Sequence, residues 1–117
     1  MRCNRTDASA LLATGWRAPE PFVAKGRDGK TDIWGIIVRP RNLDPNKKYP
    51  ILFYAYGEPA AQTVVDLWSG EEYLWHAMLA QQGYIVASVD NRGTPAPKGR
   101  AWRKAIYRKN GVVNSAD

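Results

Sequence analysis

The sequence holds a single cysteine and a single histidine among 117 residues. Cys3 has no partner for an internal disulfide, and with only His76 beside it no Cys/His cluster can form a metal site. Neither a disulfide framework nor a metal centre is expected, and the compartment is left open, with a lean toward a reducing one. Met1 is followed by Arg2, Asn4, Arg5 and Asp7 rather than by the apolar core of a signal peptide. No run approaches the roughly 18 apolar residues that cross a bilayer, so no membrane segment is read in this chain. Asn4-Arg5-Thr6 fits a glycosylation sequon, and without a secretion signal it reads as chance. From Asn91 to Ala116 there is no acid at all.

What is present is globular in character. Apolar residues make up 44% and charged residues 24%, values that argue against disorder, and five Trp with six Tyr need a substantial core. The length fits one small domain or a piece of a larger one. The net charge is +6, and the acid-free stretch carries Arg92, Lys98, Arg100, Arg103, Lys104, Arg108 and Lys109. Such a stretch raises a nucleic-acid surface as a possibility, against the plainer reading of a solvated face balanced elsewhere.

Residues 1–18 have no clear period and read as a lead-in segment, with one domain over 19–117. Phe22 to Lys25 and Thr31 to Arg39 read as a β-hairpin around an Asp28-Gly29 turn. In the second strand Ile33 and Gly35 alternate with Trp34 and Ile36 before the run Ile36-Ile37-Val38. Pro40 closes it, and Asp44-Pro45-Asn46 supplies turn chemistry in the loop that follows. Ile51 to Tyr56 is a third strand whose lack of alternation predicts burial on both faces, as in a parallel sheet. Ser69-Gly70-Glu71-Glu72 has the form of a capping box, with the Ser69 hydroxyl on the Glu72 amide. Leu74, Ala77, Met78 and Gln81 recur at helical spacing, and Gly83 is placed to stop the helix. Tyr84 to Asp90 is a second buried strand, completing a β-α-β crossover that the general rule makes right-handed. Asn91 to Gly99 is a Gly/Pro loop, followed by a helix from about Arg100 to Arg108 with Trp102, Ala105 and Ile106 on its apolar side. The fold class expected is α/β: an antiparallel hairpin leading into a β-α-β crossover, with an incomplete sheet.

No complete chemistry can be assembled from these residues. Ser9, Ser69, Ser88 and Ser115 all lie outside any Gly-x-Ser-x-Gly elbow. Ser69 is expected to cap a helix and Ser88 to sit in a buried strand, while a lone mid-helix His76 reads as structural. No Gly-rich loop with a suitably placed lysine cradles a phosphate, so no cofactor is expected.

The stretch from Tyr49 to Thr63, "YPILFYAYGEPAAQT", followed by "GYIVASVDNRGTPAPKGRAWRKAIYRKNG", resembles the start of the catalytic domain of the prolyl oligopeptidase family. The resemblance is strongest to its dipeptidyl peptidase IV branch and runs from about Phe22 to Asp117. It implies the N-terminal portion of an α/β-hydrolase fold, ending before the nucleophile elbow. It also implies that Tyr56, at the end of the third strand, helps to form the oxyanion hole. Glu58 stands where many relatives have Gly and adds a carboxylate beside that position. By the resemblance, the nucleophile, the acid and the base all lie in later chain, and the acidic residues that hold a substrate's amino terminus lie in an upstream propeller.

Two functions are therefore expected in order. The first is a fragment of a serine-type exopeptidase releasing dipeptides from peptide N-termini, inactive alone and acting on peptide only within a longer protein. The second is a non-enzymatic basic module for nucleic acid or an acidic partner. Self-association is expected as well, because an apolar strand at a sheet edge is a template for another chain.

Overall fold

The computed structural model describes residues 7–117; Cys3 and the Asn4-Arg5-Thr6 triplet lie outside the described residues. Four helical segments and four strands run in the order α1 (Ser9–Ala13), β1 (Glu20–Lys25), β2 (Asp32–Val38), β3 (Ile51–Tyr54), α2 (Glu71–Gln81), β4 (Ile85–Asp90), α3 (Gly99–Lys104) and α4 (Val113–Ala116). The strands form one open sheet in the order β1-β2-β4-β3. β1 and β2 pair antiparallel, β2 and β4 antiparallel, and β3 and β4 parallel. The α/β class follows directly, with an antiparallel hairpin feeding a β3-α2-β4 crossover.

The hairpin forms where the turn chemistry placed it. Asp28 accepts from the amides of Lys30 and Thr31 at 2.9 and 2.8 Å and from the Thr31 hydroxyl at 2.6 Å. These bonds hold the Asp28 carboxyl well below its ordinary range, the Thr31 contacts contributing most. In β2, Ile33 and Gly35 are buried and Trp34 is exposed, which is the alternation expected.

Helix α2 differs in two respects from the capping-box expectation. Gly70 occupies the N-cap, and no side chain caps the helix. Ser69 therefore offers its backbone carbonyl, not its hydroxyl, to the Glu72 amide at 3.3 Å. The Glu72 carboxylate accepts instead from the Tyr54 hydroxyl at 3.0 Å, reaching across to β3 rather than back along its own chain. Tyr73, His76 and Ala80 form the buried face, while Leu74 and Met78 are exposed. Leu74, Ala77, Met78 and Gln81 line a groove of about 180 Å³ with α1 and the end of β2. The stop at Gly83 holds. Its φ of 92° lets its amide bond to Ala80 and that of Tyr84 to Leu79, a Schellman pair that satisfies two terminal carbonyls.

β3 shows the largest departure. It spans Ile51–Tyr54, and all four residues are exposed, Phe53 to 66%. The expected burial on both faces is absent because β3 is an edge strand, paired on one side only, while α2 packs against β4 and β2. β4 has strands on both flanks, and Val86, Ala87, Ser88 and Asp90 are buried. Two smaller differences lie at the ends of the chain. A five-residue helix forms at Ser9–Ala13, too short for a period to be read; the Asp7 carboxylate accepts from the Ser9 amide at 2.9 Å. The expected helix to Arg108 stops at Lys104, and turns follow to an Arg108 with φ of 56°. Trp102 and Ile106 are buried as expected, and the indole of Trp102 donates to the Thr94 carbonyl at 3.0 Å.

Candidate active site

Because β3 and β4 are parallel, with Tyr54 opposite Ser88, their carboxyl ends emerge at the same sheet edge. In open α/β sheets ligands bind in the crevice beyond those ends. Tyr56 and Asp90-Asn91 lie there.

Tyr56 stands two residues beyond the last residue of β3 and is 49% exposed. Among the described residues its hydroxyl makes no hydrogen bond, unlike those of Tyr49, Tyr54 and Tyr73. The turn that follows is held firmly. Gly57 has φ of 80°, a conformation that side-chain-bearing residues rarely adopt, and its carbonyl accepts from Asn91 Nδ2 at 3.3 Å and Asn114 Nδ2 at 3.0 Å. Further along, the buried Asp90 carboxylate accepts from the Thr63 amide at 2.8 Å, the Thr63 hydroxyl at 3.2 Å and the Val64 amide at 3.1 Å. The segment leaving Tyr56 is thus tied back to the end of β4 at two places.

Arg92 anchors the other side of this edge. Its guanidinium grips both carboxylate oxygens of Asp117, Nε lying 3.0 and 2.9 Å from them, and its backbone amide donates to the same group at 3.0 Å. Nη1 reaches Asp28 at 3.1 Å. The Asp117 side chain is fully buried, and these bonds hold Arg92 above its ordinary pKa. The hairpin tip, the loop after β4 and the last helix are joined through one arginine.

The remaining sequence candidates lie elsewhere. His76 is buried in α2 with its ring edge-on to Tyr54 at 5.3 Å. Burial pushes its pKa down, partly opposed by Glu72. Ser88 is buried in β4, and the Ser115 hydroxyl donates to the Gly111 carbonyl at 2.7 Å. Among the described residues no serine hydroxyl is bonded to the imidazole, so no nucleophile and base are brought together. Glu58 is exposed on the Tyr56 turn. Of the seven cations in the acid-free stretch, Arg92 is engaged as described. Lys98 donates to the Asp32 carbonyl at 2.6 Å and lies over the Trp102 ring at 4.2 Å. The other five are exposed on α3 and the turns after it.

Sequence reasoning singles out Tyr56 as a candidate but not the residues that hold its turn. Asp90, Asn91 and Arg92 lay within a quoted motif without a role, and Asn114 and Asp117 carried no local signal at all. Their significance lies in contacts with residues 25 to 64 positions away.

Comparison with known proteins gives a consistent result. Residues 72–117 match the prolyl oligopeptidase family. The chain is 36% identical over 100 residues to the prolyl endopeptidase FAP of Mus musculus, covering 85% of this chain and 13% of that protein. It is 34% identical over 99 residues to dipeptidyl peptidase 8 of Homo sapiens, covering 85% of this chain and 11% of that protein. The crystal structure of Porphyromonas gingivalis dipeptidyl peptidase 4 superposes with a TM-score of 0.76 at 35% identity, over 92% of this chain and 15% of that one. The chain thus spans between a tenth and a seventh of the length of these relatives.

Proposed function

Since this chain belongs to the prolyl oligopeptidase family, as the N-terminal portion of its α/β-hydrolase domain, we propose that it is a segment of a serine exopeptidase that contributes Tyr56 to the oxyanion hole. The observation that carries the reading is the placement of Tyr56. Its unengaged hydroxyl stands at the carboxyl end of a parallel strand, on a turn tied to β4. A phenol held there donates to a carbonyl oxygen as it gains negative charge, and a donor fixed in advance needs no reorganisation during the reaction. Release of dipeptides is the reaction favoured, since several similar proteins are named dipeptidyl peptidases. The 117 residues contain no Gly-x-Ser-x-Gly, so the chain by itself is expected neither to cleave a dipeptide chromogenic substrate nor to take up a serine-directed phosphonate. Its exposed β3 edge favours pairing with a second chain when the segment stands alone.

The test is made in an enzyme. This segment is exchanged for the matching stretch of the Porphyromonas gingivalis peptidase, and Tyr56→Phe is introduced. The ring packing is kept and only the donor is lost. Turnover should fall about a hundredfold or more, on the order of 3 kcal/mol in the barrier, with KM little changed. An unchanged kcat would remove the oxyanion role.

A further inference from the structure

Tyr56 makes no side-chain hydrogen bond among the described residues, so the backbone on either side must set where its hydroxyl points. Upstream, the β3–β4 ladder fixes the chain as far as Tyr54. Downstream, the first fixed atom is the Gly57 carbonyl oxygen, which receives primary-amide donors from two separate parts of the chain. Asn91 follows β4 directly and is buried, and its amide donates to the Arg92 carbonyl at 2.8 Å as well as to Gly57. Asn114 lies on α4, and its amide donates to Asn110 Oδ1 at 3.3 Å as well as to Gly57. Asn114 Oδ1 is buried without a partner, so its amide is held in place at the cost of an unmet acceptor. A carbonyl has two acceptor sites, and here both are taken. α4 is itself anchored, because Asp117 one turn along is gripped by Arg92, which also holds Asp28 at the hairpin tip.

We infer that Asn91 and Asn114 are positioning residues for Tyr56: together they clamp the Gly57 carbonyl, fix the plane of the peptide after it, and so aim the tyrosine. The kinetic part of this inference rests on the oxyanion reading above; the clamp itself does not. Neither asparagine touches the reacting atoms. Gly57 is required because a side chain at its φ of 80° is strained, and a Cβ there would lie 3.4 Å from the Asn114 amide.

The first arm uses the exchanged enzyme with isotope-labelled glycine and tyrosine. Asn114→Asp and Asn91→Asp keep the shape and remove the donor; Asn114→Ala serves if the added charge prevents folding. The Gly57 carbonyl signal should move upfield and the Tyr56 ring signals should shift, with the β2–β4 amides unchanged. An unmoved Gly57 carbonyl overturns the clamp, and a moved carbonyl with unmoved Tyr56 signals overturns the positioning role. The second arm places Asn114→Ala in the exchanged enzyme. There kcat should fall about tenfold to a hundredfold with KM held, since misplacement near 1 Å costs that much. Added to Tyr56→Phe it should cost nothing further, because both act through one hydroxyl. Independent, multiplying losses overturn the coupling. If the carbonyl and ring signals respond as expected while Tyr56→Phe leaves kcat intact, the clamp stands and the oxyanion reading fails.

Discussion

β3 and β4 are neighbours in register and both open on a run of uncharged residues, Ile-Leu-Phe-Tyr beside Ile-Val-Ala-Ser, yet one is exposed along its whole length and the other mostly buried. Leu52 lies opposite Val86, with exposures of 42% and 1%. Apolar content alone does not bury a strand; neighbours on both flanks and a helix overhead do, and only β4 has them. The same contrast continues past the strand ends. Asp90 and Asn91 are buried and multiply bonded, whereas Tyr56 projects with its hydroxyl unengaged among the described residues. The buried strand supplies fixed points, and the exposed one leads into the turn that carries Tyr56.

Mutation of the opposed pair breaks the comparison most sharply. Val86→Ala should cost about 2 kcal/mol of stability, from lost burial and the cavity left behind. Leu52→Ala should cost no more than about 1 kcal/mol, because much of that side chain already meets water. Denaturant melts of the two variants check this, and equal losses would mean that β3 is covered in solution. The exposed edge gives the next effect. Sedimentation should find dimers or larger species that grow as salt screens the +6 charge, and Phe53→Lys on the edge should reverse this. A monomer at every salt concentration would contradict it. The smallest effect belongs to His76, buried on α2 with its ring against Tyr54. Burial lowers its folded pKa below the ordinary 6.5, so the unfolded chain binds the proton first. Its contribution is complete above pH 6.5 and is lost as the pH falls below that value. The melting temperature should drop between pH 7 and 5, and His76→Gln should flatten the drop.

Most of the fold was legible because its signals are local. Asp28-Gly29 marked the hairpin turn, the Ile33/Trp34 alternation marked the covered face of β2, and Gly83 marked the end of α2. The errors came where one residue had to choose between local and distant partners. Glu72 was expected to fold back on Ser69, and it bonds Tyr54 instead. The spacing of Leu74 and Met78 marks the helix but not its inner face, and the sheet receives Tyr73, His76 and Ala80. In β3 the run of apolar residues was read correctly as a parallel strand, but burial depends on its neighbours, which the run does not encode. Tyr56 became visible through the family resemblance of its motif, whereas Asn91 and Asn114 owe their place to contacts 34 and 57 residues away.

The central claim, that Tyr56 serves the transition state rather than the bound substrate, is tested most directly with a tetrahedral transition-state analogue. In the exchanged enzyme, the affinity of a dipeptide boronic acid is measured with Tyr56 and with Tyr56→Phe, beside kcat/KM for the matching substrate. If Tyr56 is an oxyanion donor, its loss weakens analogue binding by the same factor as it lowers kcat/KM, about a hundredfold or more, while substrate affinity is unchanged. Equal affinity of the two enzymes for the analogue would contradict the account.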